Sequence, residues 1–239
     1  MSDRRPPSRA RAVAALVLLV PVPSVAVAWA ANASEGASAD AAGIFYVASK
    51  VWLLALPFGW HFLVDRRSAS LSPTSGRRLA VGALLGLAIA ALILGVRHAI
   101  GTEWLDGEVL RANLARLGVD TRASFVVMAV LLSLGNSLME EIVWRWFVVE
   151  KCVEALPDRA GGWAVPLSAA FFTAHHVFAL DAHFTAPIVA LASVGVFVGG
   201  WIWSALYRRT GSIWPSWISH LVVDAALMWI GYDLLFGTT

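Results

Sequence analysis

The stretch ASFVVMAVLLSLGNSLMEEIVWRWFVV, residues 123–149, is a long apolar run with three charged side chains in its second half. It exceeds the about 20 mostly apolar residues that a helix needs to cross a bilayer. The charged residues are Glu140, Glu141 and Arg145. Each charge near the centre of a membrane helix costs about 2.5–3.5 kcal/mol. The stretch therefore predicts a membrane span together with a polar site that compensates its charges.

The rest of the chain has a matching composition. Of its 239 residues, 59% are hydrophobic and 14% are charged, whereas soluble domains are about 45–50% apolar and about 25% charged. A soluble helical core is the alternative, but uncharged runs of about 18 residues recur along the chain. We therefore predict an all-α, polytopic membrane bundle of about seven transmembrane helices. The apolar stretches are 12–31, 44–64, 79–96, 123–149, 163–180, 187–206 and 213–236.

The positions of the basic residues predict the orientation. With a cytoplasmic N-terminus, the larger share of the Lys and Arg residues falls on the cytoplasmic side, and Lys50 is among the fewer outside. The first apolar stretch also resembles a signal peptide, with a basic start and an A-x-A at Ala28–Ala30. Because a polytopic body follows, we favour a retained first helix, kinked at Pro21 and Pro23.

Other features narrow the classes of function. The basic residues lie at the ends of apolar runs and not on one segment, so the net charge of +2 does not indicate a nucleic-acid partner. The single cysteine, Cys152, excludes an intramolecular disulfide and a multi-cysteine zinc site.

Between residues 101 and 122, Leu110, Leu114 and Leu117 recur at helical spacing among charges. This spacing predicts an amphipathic helix at the outer surface, with a solvated loop helix as the alternative.

Glu141 and Arg145 have the favourable i, i+4 order of a helical ion pair. Glu140 is turned about 100° from Glu141 and has no such partner on its own helix, so we expect either that burial keeps its carboxyl group protonated or that its donors lie on other helices. Intramembrane ionisable residues mark functional sites by default.

Two later apolar stretches supply those donors. His175 and His176 are adjacent and point about 100° apart, so one of the two faces a common site. His220 and Asp224 share a helix face at i, i+4, where the carboxylate can orient the imidazole. We therefore predict that Glu140, one of these two histidines and His220 meet in one cavity.

These residues form three ordered motifs. EEIVWR fits E-E-x-x-x-R, FTAHH fits F-x-x-x-H, and HLVVD fits H-x-x-x-[ND]. Together they resemble the CPBP family (CAAX proteases and bacteriocin-processing enzymes, also called Abi), which are glutamic-type intramembrane endopeptidases. The resemblance runs from about residue 123 to residue 236. It implies an all-helical catalytic membrane core at 123–239, preceded by transmembrane helices and the outer loop at 1–122.

The resemblance also implies roles. Glu140 activates the attacking water with help from His176, and His220 and Asp224 stabilise the developing oxyanion. Glu141 and Arg145 hold the shape of the site. Asp224 stands where many members have Asn, a better oxyanion donor, so we expect it to act through His220.

The register of the second motif stays open. Phe171 to His175 also satisfies F-x-x-x-H, so His175 is the alternative active histidine. We prefer His176 because an aliphatic residue, here Val177, usually follows the motif histidine.

The expected function is that of an intramembrane endopeptidase without a cofactor. Its expected substrates are membrane-associated or C-terminally tagged peptides, and its expected location is a multi-pass position in the bilayer of a bacterial inner or plasma membrane. Zinc held by Glu140 and two histidines, with the ligands coming from three helices, is the alternative chemistry, although no H-E-x-x-H is present. A non-proteolytic scaffold or immunity protein of the same fold is the alternative function. An ion-coupled transporter would usually show broken helices or repeated halves.

Overall fold

The structure is a computed structural model that describes residues 8–33, 36–68, 72–101, 107–116, 118–157, 162–181 and 184–237. Within these ranges all regular secondary structure is helical, as the apolar stretches predict. We number the helices α1 (Arg9–Leu19), α2 (Pro21–Asn32), α3 (Ala37–Gly59), α4 (Gly76–Ile100), α5 (Gly107–Arg116), α6 (Arg122–Ala155), α7 (Ala164–Asp181), α8 (Ala186–Thr210) and α9 (Trp214–Phe236).

Six helical segments of the described chain are long and apolar enough to cross a membrane. They are α1 with α2, α3 with its π-helical extension Trp60–Val64, and α4, α6, α8 and α9. This confirms a polytopic helical bundle. Helix α7, which coincides with the remaining predicted span, is 18 residues long and carries His175 and His176, which lower its apolarity. A total of about seven spans and a cytoplasmic N-terminus stay predictions.

Helices α1 and α2 pack into the bundle. Ala12, Ala15 and Leu19 of α1 are 0% exposed, and α1 packs against the last turns of α6. Helix α2 begins directly at Pro21, whose missing N–H is tolerated in the first turn of a helix. It packs on α3 and α7. This packing favours the retained first helix over a cleaved signal.

Helix α4 approaches α9 closely through two glycines. A Cβ on Gly82 would collide with the backbone of Pro215, and a Cβ on Gly86 would meet Ser219. Gly82 and Gly86 are spaced as G-x-x-x-G, a pattern that lets membrane helices touch through their backbones. Because His220 follows Ser219, this contact helps to set the position of the His220 side chain.

Helix α6 departs from regular α geometry on both sides of Glu140. Residues Leu131–Asn136 and Glu141–Val149 are π-helical, and the α-helical turn Ser137–Glu140 lies between them. Widened π turns occur mostly as short bulges and often at functional sites. No pattern in the sequence predicted them.

The amphipathic helix is confirmed as α5, which contains Leu110 and Leu114, while Leu117 lies outside the described residues. It packs on the end of α9, where Nη2 of Arg111 donates to the carbonyl of Leu235 at 2.6 Å. Its place at the outer surface stays a prediction, and so does the division of the chain near residue 122.

The placement of Lys50 on the outer side stays a prediction, like the orientation of the bundle. Lys50 lies in the interior of α3, within the candidate span Ser38–Val64. The helix continues for several turns on both sides of Lys50.

Candidate active site

Glu140 lies on the buried side of α6, with 8% of its surface exposed. Its Oε1 accepts a hydrogen bond of 2.8 Å from Nδ2 of Asn136, one turn earlier. Its Oε2 is buried and has no hydrogen-bond partner in the described structure. The expectation that its donors lie only on other helices is wrong, because Asn136 is on the same helix. Glu140 thus keeps one oxygen held and one oxygen available.

Glu141 and Arg145 form the ion pair that their spacing predicts. Both side chains are 0% exposed, and Nε of Arg145 lies 3.5 Å from Oε1 of Glu141. The guanidinium lies over the rings of Phe172, at 4.5 Å, and Trp203, at 5.3 Å. Cation–π contacts of this kind contribute more where water is excluded. Arg145 therefore joins α6 to α7 and α8 through charge and ring contacts.

His220 on α9 lies between carboxylates from two helices. Its Nδ1 is 3.0 Å from Oε1 of Glu141, while its Nε2 is 3.7 Å from Oε2 of Glu140 and 3.5 Å from Oδ1 of Asp224. The ring stacks on Trp203 with centroids 4.0 Å apart. Nδ1 of His220, the ring nitrogen that points away from Glu140, is therefore bonded by Glu141 and not by Asp224. Asp224 contacts His220, as the i, i+4 spacing predicts, and does so from the Nε2 side that faces Glu140.

The two adjacent histidines of α7 lie side by side against Glu140. One ligand atom from each of Glu140, His175 and His176 lies within 4.8 Å of the others. Nδ1 of His176 bonds the carbonyl of Phe172 at 2.9 Å, so it carries the proton and leaves Nε2 free to accept. His175 stacks on Trp144 at 5.0 Å and its buried Nδ1 has no hydrogen-bond partner in the described chain. The structure thus brings both histidines to Glu140.

A small cavity opens beside this cluster. Its volume is about 20 Å³, enough for one water molecule. Glu140, Met139, Val143, Trp144 and His175 form one wall from α6 and α7. The other wall comes from α2 and α3. Its residues are Pro23, Val27, Tyr46, Ser49, Lys50 and Leu53.

Sequence reasoning missed several members of the site. Asn136 precedes Glu140 by four residues, the same spacing that revealed Glu141 and Arg145, so its contact was visible in the sequence. The aromatic rings of Trp144 and Trp203 carried no such signal, because tryptophans are spread along the chain.

The arrangement can perform two kinds of chemistry. A buried carboxylate with a free oxygen beside a water-sized cavity can remove a proton from water. Glu140, His175 and His176 also form a Glu plus two His donor set of the kind that binds catalytic zinc. This set differs from the expected one, because it comes from two helices and excludes His220.

Comparison with known protein families gives one match. Residues 122–226 match the family model described as Type II CAAX prenyl endopeptidase Rce1-like. The match confirms the resemblance carried by the three motifs, all of which lie inside it. The comparisons with curated proteins and with solved structures gave no match.

Proposed function

We propose that this chain, whose residues 122–226 match the Rce1-like CAAX endopeptidase model, is an intramembrane endopeptidase whose general base is Glu140. One observation carries the assignment of the base. Oε2 of Glu140 is buried without a hydrogen-bond partner in the described structure, and Glu140 lines a cavity that holds about one water. A polar atom left unpaired in this way is costly, so a water or substrate group is expected to satisfy it.

The reaction begins with the water in that cavity. Glu140 takes one of its protons while the oxygen attacks the carbonyl carbon of the scissile peptide bond. The carbonyl becomes a tetrahedral oxyanion, and Glu140 then passes its proton to the departing amine. The C–N bond breaks, and the products are a carboxylic acid and an amine, so one water is consumed. Asn136 holds Oε1 throughout and leaves Oε2 to carry the proton.

His220 stabilises the oxyanion in this proposal. It carries protons on both ring nitrogens, donating from Nδ1 to Glu141 and directing Nε2–H towards Oε2 of Glu140. Fixed donors aimed at developing charge usually supply the largest part of such catalysis. Arg145 balances Glu141, so that the carboxylate stays ionised beside the imidazolium. Asp224 lies on the Nε2 side of His220, the side proposed to face the oxyanion. There its carboxylate attracts the Nε2–H group and sets the direction in which that group points.

His176 assists the attacking water. Its Nδ1–H is committed to the Phe172 carbonyl, which leaves Nε2 as an acceptor near Glu140. His175 lines the water-sized cavity and is the alternative for this role.

Replacing each histidine by alanine distinguishes the roles of His175 and His176. We expect His176→Ala to reduce kcat about 10²–10⁴-fold, the range of general acid–base assistance, and His175→Ala to act mainly on stability through its stacking on Trp144. The reverse result would assign the role to His175.

The mechanism uses no metal ion. The donor set of Glu140, His175 and His176 makes this point testable, because a zinc-dependent enzyme loses activity with a chelator and regains it with zinc. We expect cleavage to be unchanged by a chelator. Loss of cleavage that zinc restores would move these three residues to a metal site.

The proposed substrates are peptides cleaved at a membrane-associated or C-terminal site. The test is cleavage of a library of tagged transmembrane and C-terminal peptides by the purified protein in liposomes, with products identified by mass spectrometry. We expect new carboxyl and amino termini at defined bonds. If no peptide is cleaved, the scaffold or immunity protein becomes the better hypothesis, and capture of a binding partner replaces cleavage as the assay.

A further inference from the structure

Lys50 is a cation in the middle of a candidate membrane span. It lies 12 residues after Ser38 and 14 before Val64, the ends of that span, or about 18 and 21 Å at 1.5 Å per residue. A lysine within a membrane span is costly unless it is paired or its ammonium reaches the interface. Charged residues at such depths mark binding or transport sites by default.

No carboxylate of the described chain lies within ion-pair distance of Lys50. Its Nζ lies 5.4 Å from the centroid of the Tyr46 ring, and its charge also acts on His175. The other lysine of the chain, Lys151, is buried and bonds both Asp65 and Glu154, whereas Lys50 is partly buried. The fold therefore neutralises Lys151 internally and leaves Lys50 without an anion.

Lys50 also lines the cavity that contains Glu140. Pairing with Glu140 would satisfy both groups, yet Oε1 of Glu140 is bonded to Asn136 and its Oε2 has no hydrogen-bond partner. Glu140 and Lys50 thus stand in one cavity without bonding each other. A substrate that places its scissile carbonyl at Glu140 brings its neighbouring atoms to Lys50.

Resting on the proposed function, we propose that Lys50 binds a carboxylate of the peptide substrate and so selects peptides cleaved close to their C-terminus. A free α-carboxylate is the anion that every such peptide carries, whatever its sequence. An ammonium in a largely apolar cavity gains a charge-assisted hydrogen bond from it. Lys50 lies outside residues 122–226, so this specificity comes from a part of the chain beyond the family match.

The test uses one cleaved peptide in two forms, a C-terminal acid and a C-terminal amide. We expect the wild type to have a KM about 10–100-fold lower for the acid, the range of a hydrogen bond to a charged group. Lys50→Met should abolish that preference by raising the KM for the acid, and Lys50→Arg should retain part of it. Val51→Met, at an exposed neighbouring position of α3, is the control and should keep the full preference.

Three outcomes would overturn the proposal. Equal KM values for acid and amide in the wild type would do so without any variant. An equal fall in kcat for both peptides in Lys50→Met would make Lys50 a counter-ion of Glu140. If Val51→Met also lost the lower KM for the acid, the preference would depend on the packing of α3 and not on the Lys50 ammonium. A third peptide has an amide terminus and an acidic side chain near the cleaved bond. Its KM shows whether Lys50 binds a side-chain carboxylate or only the C-terminal one. Failure of the wild type to cleave any peptide would instead refute the proposed function.

Discussion

Arg145 is fully buried between Glu141 and two aromatic rings. A guanidinium suits this place because it is planar, stacks on rings and stays charged. We predict that Arg145→Met destabilises the protein by about 3–5 kcal/mol, since the buried Glu141 carboxylate loses its counter-charge. Thermal unfolding in detergent, followed by fluorescence, measures the change. Arg208→Met is the matched control, because its pair with Glu150 is partly exposed and contributes about 0–1 kcal/mol. Equal effects of the two variants would contradict this role.

Asn136 holds one oxygen of Glu140. We predict that Asn136→Ala lowers kcat about 10–100-fold, because a hydrogen bond to a charged group contributes about 1.5–3 kcal/mol and the freed carboxylate can rotate away from the water. Initial rates on a cleaved peptide measure the loss. Asn32→Ala, which removes an exposed bond to the Ala28 carbonyl, is the control and should leave kcat unchanged. If Asn136→Ala cleaved at the wild-type rate, the hydrogen bond from Asn136 to Glu140 would not contribute to catalysis.

At the residue scale, the sequence predicts pairs on one helix better than contacts between helices. Glu141 with Arg145 and His220 with Asp224 follow from i, i+4 spacing, and both contacts are present. The contact of Glu141 with Nδ1 of His220 depends on how α6 and α9 are rotated against each other. That rotation is set by packing, which no local pattern records.

The contact between α4 and α9 is made through glycine backbones. A Cβ on Gly86 would lie 2.8 Å from the Ser219 carbonyl oxygen and 2.9 Å from its Cα. We predict that Gly86→Ala forces the helices apart, destabilises the protein by about 1–3 kcal/mol and lowers kcat by shifting the neighbouring His220. Gly95→Ala on the same helix meets nothing within 4 Å and is the control. It should be neutral or slightly stabilising. Unfolding temperatures and cleavage rates that agree between the two variants would refute this prediction.

Helix α1 provides a test of the retained N-terminal segment. Ala15 is 0% exposed, while Ala14 beside it is exposed. We predict that Ala15→Leu overpacks the contact of α1 with α6 and costs about 1–3 kcal/mol. Ala14→Leu should change stability by less than about 0.5 kcal/mol. Thermal unfolding of the two purified variants distinguishes them. If both variants unfold at the wild-type temperature, α1 does not belong to the folded core. The signal-peptide interpretation of the first apolar stretch would then be the better one.

At the element scale, hydropathy predicts the long helices well and their internal geometry poorly. Apolar runs of sufficient length predict the position of each long segment. The π-helical segments on both sides of Glu140 are different, because they depend on hydrogen bonds shifted by one residue within an otherwise ordinary apolar helix. The close approach at Gly82 and Gly86 was present in the sequence as G-x-x-x-G, but the partner helix was not.

At the scale of the whole molecule, the two halves of the chain share the site. Glu140, Trp144 and His175 line the cavity from the region that matches the family, whereas Lys50, Tyr46 and Ser49 close it from α3. The predicted division near residue 122 therefore separates two parts that build one cavity. Composition and hydropathy cannot reveal this, because they describe segments and not the contacts between them.

The measurement that tests the central claim most directly is the cleavage rate of Glu140→Gln against wild type on one defined peptide in liposomes. Glutamine keeps the size and the acceptor for Asn136 but cannot take a proton from water. We predict a rate at least about 10²-fold lower, with unchanged unfolding temperature. Glu150→Gln, which alters the partly exposed pair with Arg208 and a contact with Tyr207, should cleave at the wild-type rate. A Glu140→Gln protein that cleaves as fast as wild type would show that Glu140 is not the base.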